Sequence, residues 1–340
     1  LIGTIIFIFG YMMYGGANSM VYTNTVQAII MLAVAFILLG SGYQHFSNGI
    51  HGFLDKLQSI DPKLIQSTND SSFLFRDYFE IIFTQIVIGI AIVCQTYIIT
   101  KSLLSKTDKD VNKYLVVGII TQTIFFLVVF VGLYARIIFP DLMINGVPLK
   151  LDGVVSAYVV KEFPVYVGIF VVLGLISAGV STLEGLIQSI SSTATMDIIK
   201  PLFSKYYPIE EAKRDKAYIL TNKIVIAVFA VVSILLSYDQ LINPKLSVGI
   251  FAQNGVYAYF SAAFVPILFG MFLKKIPKIS VISASLTAII VHFSFYYGKL
   301  SVPFTKATGE NPGVAASMAI IASLLVGIIL YTIFKERKDA

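Results

Sequence analysis

Apolar residues fall along this chain in nine long stretches, roughly 1–15, 20–42, 78–100, 114–138, 164–196, 218–237, 246–273, 279–297 and 313–334. An α-helix needs about 20 apolar residues to cross a bilayer. Membrane β-strands are about 10 residues long and alternate in polarity, which these stretches do not. Lipid offers no partner to a free backbone N–H or C=O, so all nine are predicted as transmembrane helices. The polar segments around 44–77 and 139–163 carry Asp, Asn, Gly and Pro and are too short for independent domains, though short amphipathic helices fit there.

Composition narrows the class. The chain has 340 residues, 57% of them hydrophobic and 13% charged, against about 25% charged in a soluble domain. Its mean hydropathy is +0.83. These values exclude a disordered chain, a coiled coil and a soluble globular enzyme. The net charge of +6 belongs to the loops flanking the spans, and no basic soluble module for nucleic acid is visible. A single cysteine, Cys94, excludes an internal disulfide. The chain opens at Leu1 directly on an apolar stretch, without a basic leader or a small-residue cleavage site. It reads as cut from something longer rather than as a signal peptide.

Lys and Arg set the expected orientation. Placing the C-terminus in the cytoplasm puts segments 101–113, 197–217, 274–278 and the tail on the inside, with fifteen Lys and Arg. The other side holds nine over longer loops, and Lys223 lies within a span. The bias predicts a cytoplasmic C-terminus. Asp197, at the inner end of the fifth span, is expected to pair with Lys200, the alternative being a place on the ion's exit path.

The fifth span differs from the others. Between Gly174 and Lys200, the residues Ser177, Ser181, Glu184, Gln188, Ser191 and Thr195 recur every three or four positions and so share one helix face. Small hydroxyl residues also serve close helix packing, where each satisfies itself on its own helix. Glu184 changes the weighing, because a carboxylate at mid-membrane costs at least about 2.5 kcal/mol unless it is compensated. It must be protonated, paired, or facing a cation or water. Ser181 and Thr182 offer adjacent hydroxyl oxygens, and the carbonyl of Ala178 lies one turn earlier. Hard cations prefer such oxygen ligands, and weak ones release a monovalent ion readily.

SAGVSTLEGLIQSISSTATMDIIK resembles the signature helix of the sodium:solute symporter family. YGGANSMVYTNTVQAIIML, CQTYIITKSLLSKTDKDVNKYL and AAFVPILFGMFLKKIPK resemble three further family stretches, in the expected order. The resemblance implies an all-α integral membrane fold, the LeuT-type inverted-repeat transporter bundle. About nine of an expected 13 transmembrane helices are visible, the N-terminal ones missing. Residues 1–42 would end the first repeat, 78–273 would form the second and 279–334 would be C-terminal extra helices, all in a single transporter domain.

The resemblance also implies a site and a function. A co-transported Na+ would be held by the carbonyl of Ala178 and the hydroxyls of Ser181 and Thr182. The family's Asp in its T-D-x-x-Q run is Asn24 here, so the carboxylate moves to Glu184, with Asn24 and Gln27 as neighbours in a second cation or proton site. A protonated Glu184 bonded to Asn24 or Gln27 is the competing reading. The third span should be a broken helix facing solute, with Gln95, Thr96, Ile92 and Ile88 as substrate contacts. Thr96 stands where the family has Pro.

The expected function is sodium-coupled symport of a small organic solute (amino acid, monocarboxylate, pantothenate or sugar) by alternating access, in the plasma membrane. The partners are then solute, sodium and the lipid bilayer, without nucleic acid. A proton-coupled member, or a symporter-like sensory domain of a signalling protein, are the alternatives. Neither H-E-x-x-H nor G-x-S-x-G occurs, so an enzyme is not expected.

Overall fold

The computed structural model describes the backbone of residues 2–93, 107–208, 210–242 and 248–335; the side chains of 15–21, 151, 239–241 and 248 are not described. In chain order the main helices are α1 (Ile2–Ser41), α2 (Gly49–Ile60), α3 (Thr84–Val93), α4 (Asp108–Leu127), α5 (Phe130–Ile138), α6 (Val154–Glu162), α7 (Val165–Thr193), α8 (Glu211–Ile242), α9 (Val248–Phe272), α10 (Lys278–Gly298) and α11 (Pro312–Lys335). A π-turn, Phe79–Phe83, leads into α3, and another, Ala194–Ile199, continues α7. A small hairpin pairs β1 (Met143–Ile144) with β2 (Val147–Pro148). Its central residues, Asn145 and Gly146, both have positive φ, as a tight turn matched to strand twist requires.

Among the described residues, seven helical stretches are long and apolar enough to cross a membrane, and Ile2–Tyr14 and Phe79–Val93 are shorter apolar helices. The protein is therefore a multi-pass membrane protein. The two expected spans 1–15 and 20–42 share one helical backbone, α1. The polar interruption between them, Gly15 to Ser19, holds no proline, so nothing forces the hydrogen-bond ladder to stop. The helix is nevertheless bent. Tyr11 and Thr23 both bond the carboxylate of Glu184, whereas a straight helix sets them roughly 18 Å apart, beyond what the side chains span.

The chain forms two compact units, residues 1–53 with 118–245, and 54–117 with 246–340. In the first, α1, α7 and α8 pack together. Ile5, Ile8, Phe9 and Met12 of α1 meet Ile187 of α7 and Ile226 of α8 in a buried cluster. Gly174 lets α7 approach α1 closely, since a Cβ there would lie 2.5 Å from Val34 Cγ2. Proline sets where α7 begins. Phe163 is extended (φ −102°, ψ 143°), as a residue before proline must be, and the helix follows Pro164. At the other end of α1, the Ser41 hydroxyl lies 2.7 Å from that of Tyr158, which is fully buried.

In the second unit, α9, α10 and α11 pack with α3 around Ile88, Phe260, Phe264, Val265 and Phe269. Alanines with no exposure, among them Ala284, Ala315, Ala316 and Ala319, allow the helices to approach closely. Pro266 lies inside α9 and deprives the Ala262 carbonyl of its helical donor. Ser285 of α10 replaces that donor, its hydroxyl 2.8 Å from the Ala262 oxygen. Asn311 caps α11 by accepting the Gly313 N–H at 2.8 Å.

Candidate functional site

The polar stripe of α7 turns inward. Glu184 and Ser191 have no exposed surface, Thr195 is 2% exposed, and Ser177, Ser181 and Gln188 are half-buried. Two groups of oxygens lie on this helix. In the first, Ser181 Oγ donates to the Ala178 carbonyl at 3.0 Å and Thr182 Oγ1 donates to the same oxygen at 2.9 Å. The three oxygens expected to hold sodium therefore converge, and the self-satisfied hydroxyl geometry of a packing role is the arrangement that gathers them. Thr182 is exposed, so the group has an open side.

The second group surrounds Glu184. Its carboxylate accepts from the Tyr11 hydroxyl, from Thr23 Oγ1 at 3.1 Å and from Gln27 Nε2 at 3.2 Å, all on α1. Three donors of α1 thus converge on one carboxyl group. Of the two expected neighbours, Gln27 bonds Glu184 and Asn24 does not. The side-chain oxygens of both Asn24 and Gln27 are buried without a hydrogen-bond partner. Such orphaned acceptors are rare in folded proteins.

Sequence reasoning missed Tyr11 and Thr23, because the bend of α1 that brings both to Glu184 leaves no periodic signal. It also missed a second buried carboxylate. Glu80, at the start of the third span, has no exposed surface and pairs with Arg76 at 2.6 Å. The Arg76 guanidinium also donates to Thr308 Oγ1 at 2.8 Å. The signal was present as an Arg and a Glu four residues apart at a helix entrance. His292 and Asn254, both buried, bond to each other at 2.9 Å.

The substrate candidates divide. Ile88 is 4% exposed, within the apolar core of the second unit, and Ile92 is half-buried. Gln95 and Thr96 lie outside the described residues. Lys200 does not pair with Asp197; its ammonium lies 5.2 Å from the Tyr218 ring centroid.

The model of the sodium:solute symporter family matches residues 1–287. The chain belongs to that family. Curated relatives include the sodium/pantothenate symporter of Escherichia coli (strain K12), 23% identical over 93% of this chain and 61% of that protein. Sodium/glucose cotransporter 1 of Ovis aries is 22% identical over 95% of this chain and 52% of its own length. Solute carrier family 5 member 4 of Rattus norvegicus is 25% identical over 65% and 36% respectively. The chain thus spans less than two thirds of the length of these curated relatives. A solved structure of a Na+-coupled sialic acid symporter, substrate-bound and outward-open, superposes with a TM-score of 0.68 at 16% identity, over 96% of this chain and 66% of that one. The likeness establishes the symporter fold, the LeuT-type bundle expected from the sequence.

Proposed function

We propose that the protein is a secondary active symporter that couples inward sodium movement to uptake of a small organic solute. Sodium binds at Ala178, Ser181 and Thr182 and stabilises an outward-open state. Solute then binds alongside α3, near Ile88, Ile92 and the adjoining Gln95 and Thr96, and both leave on the other side. The observation that carries this reading is the convergence of two hydroxyls on the Ala178 carbonyl within a polar stripe of a membrane helix. The family membership supports sodium as the ion, and the relatives' names support a solute such as pantothenate or a sugar. Amino acids and monocarboxylates belong to the same proposal.

The rest of the reading follows from the same mapping. Residues 1–42 close one repeat, 78–273 form its inverted counterpart and 279–334 are additional helices. The C-terminus faces the cytoplasm, the membrane is the plasma membrane, and the protein is not an enzyme. Coupling requires each ligand to favour one state over another. A potential of 100 mV contributes about 2.3 kcal/mol per charge moved.

Glu184 supports a second ion position. A cation there would be met by the carboxylate, the hydroxyl oxygens of Tyr11 and Thr23, and the unpaired side-chain oxygens of Asn24 and Gln27. A proton on Glu184 is the rival occupant.

Uptake by the full-length protein in proteoliposomes tests the proposal, using labelled proline, acetate, pantothenate and glucose under an imposed sodium gradient. Uptake of one of them should need sodium and fail in Ser181→Ala/Thr182→Ala. Uptake indifferent to sodium but driven by a proton gradient refutes the hydroxyl site and transfers coupling to Glu184.

A further inference from the structure

A cavity of about 670 Å³ lies in the first unit, away from the Ser181–Thr182 hydroxyls. Its walls come from the N-terminal half of α1 (Tyr14), the far end of α7 (Ser192) and α8 (Asp215, Tyr218, Asn222, Lys223). Lys223 is unusual among the 25 Lys and Arg because it sits within an apolar span. Its ammonium rests 5.5 Å from the Tyr14 ring centroid. A second ammonium, that of Lys200, does not line the cavity but lies 5.2 Å from the ring centroid of Tyr218, which does. Among the described residues, neither ammonium forms an ion pair with a carboxylate. A ring face compensates a desolvated cation only in part, so Lys223, within a span, lacks a full counter-ion.

The rest of the lining supplies donors. Asn222 Oδ1 accepts from Thr195 Oγ1 at 3.3 Å, which orients the amide and leaves its N–H groups for a ligand. Ser192 adds a hydroxyl. The Lys223 ammonium, an amide and a hydroxyl on the wall, with Lys200 beside Tyr218, form a donor set for an oxyanion. Three features point to a lipid rather than a free ion. Met196 and Ile219, on the cavity wall, are largely exposed and continue onto the apolar surface of the helices. Tyr14 and Tyr218 are the aromatic residues favoured at the headgroup level. Asp215 lies two turns before Lys223, about 12 Å along α8. There its carboxylate repels a free dianion and accepts hydrogen bonds from headgroup hydroxyls.

We infer that this cavity is a binding site for an anionic glycerophospholipid with a hydroxyl-bearing headgroup. Its phosphodiester sits between Lys223 and Lys200 and its headgroup hydroxyls face Asp215. Basic pockets between membrane helices hold such headgroups in general, and nothing in the proposed transport cycle uses these residues.

The test is lipid binding to the purified full-length protein in detergent, followed by native mass spectrometry with dioleoylphosphatidylglycerol and dioleoylphosphatidylcholine. The wild type should prefer phosphatidylglycerol. Lys223→Gln and Lys200→Gln should each weaken that lipid about fivefold, the size expected for one lysine against anionic lipid. Lys223→Arg should keep the affinity. Lys213→Gln, which removes a lysine paired on the surface with Glu210 at 2.6 Å, should change little. Equal binding of the two lipids overturns the inference, as does an equal loss in Lys213→Gln. Displacement of the lipid by glycerol 1-phosphate at equal concentration assigns the site to a soluble anion and overturns the lipid assignment.

Discussion

Removing the Tyr11 hydroxyl isolates one bond of the Glu184 cluster without disturbing the backbone. In Tyr11→Phe the carboxylate keeps Thr23 and Gln27 as donors, so no charge is stranded. A hydrogen bond to a charged group contributes about 1.5–3 kcal/mol, and that is the expected loss of stability. In a Glu184→Gln background the acceptor is neutral, and the same substitution should cost about 0.5–1.5 kcal/mol. The two substitutions should therefore couple by roughly 1–1.5 kcal/mol, well above the ~0.5 kcal/mol scatter of independent sites. Reversible unfolding of the four variants in mixed micelles by titrated dodecyl sulfate measures this cycle. Additive losses would refute a Tyr11–Glu184 bond across the bend of α1, and the cation reading of that cluster with it.

The structure supports other tests by the same unfolding assay. Arg76→Ala leaves Glu80 buried and unpaired and should cost about 3–5 kcal/mol, whereas Arg76→Met/Glu80→Leu, which removes both charges, should lie much nearer the wild type. Ser285→Ala strands the Ala262 carbonyl opposite Pro266 and should cost about 1–3 kcal/mol; a neutral result would show that another donor serves that oxygen. Gly174→Leu drives a side chain into Val34 and should force α7 away from α1, costing about 1–3 kcal/mol or more, with partial recovery when Val34→Ala is added.

The parts of this molecule that were legible beforehand share a cause. The stripe from Ser177 to Thr195 could be read because a helix converts spacing in sequence directly into a shared face, and burial follows that face. Helix α7 starts at Val165, within the expected stretch 164–196. The illegible parts depend on what lies opposite. Tyr11 sits twelve positions from Thr23, and only a bend between them lets one carboxylate receive both. Lys200 had a carboxylate three residues away in Asp197, yet the Tyr218 ring on α8 holds it instead, a choice made by tertiary packing. Glu80 lies at the start of the third span, and what buries it, the Arg76 side chain and the contact of that side chain with Thr308, depends on residues far apart in sequence.

Because Glu184 receives one hydrogen bond from before the bend in α1 and two from beyond it, it acts as the pin of a hinge. An ion or proton taken up by the carboxyl group would replace the hydroxyl hydrogens of Tyr11 and Thr23 there and so change what ties the two halves together. The occupancy of a single carboxyl group would then bear on how two halves of one helix are held, the kind of differential interaction by which a small ligand selects between two shapes of a protein.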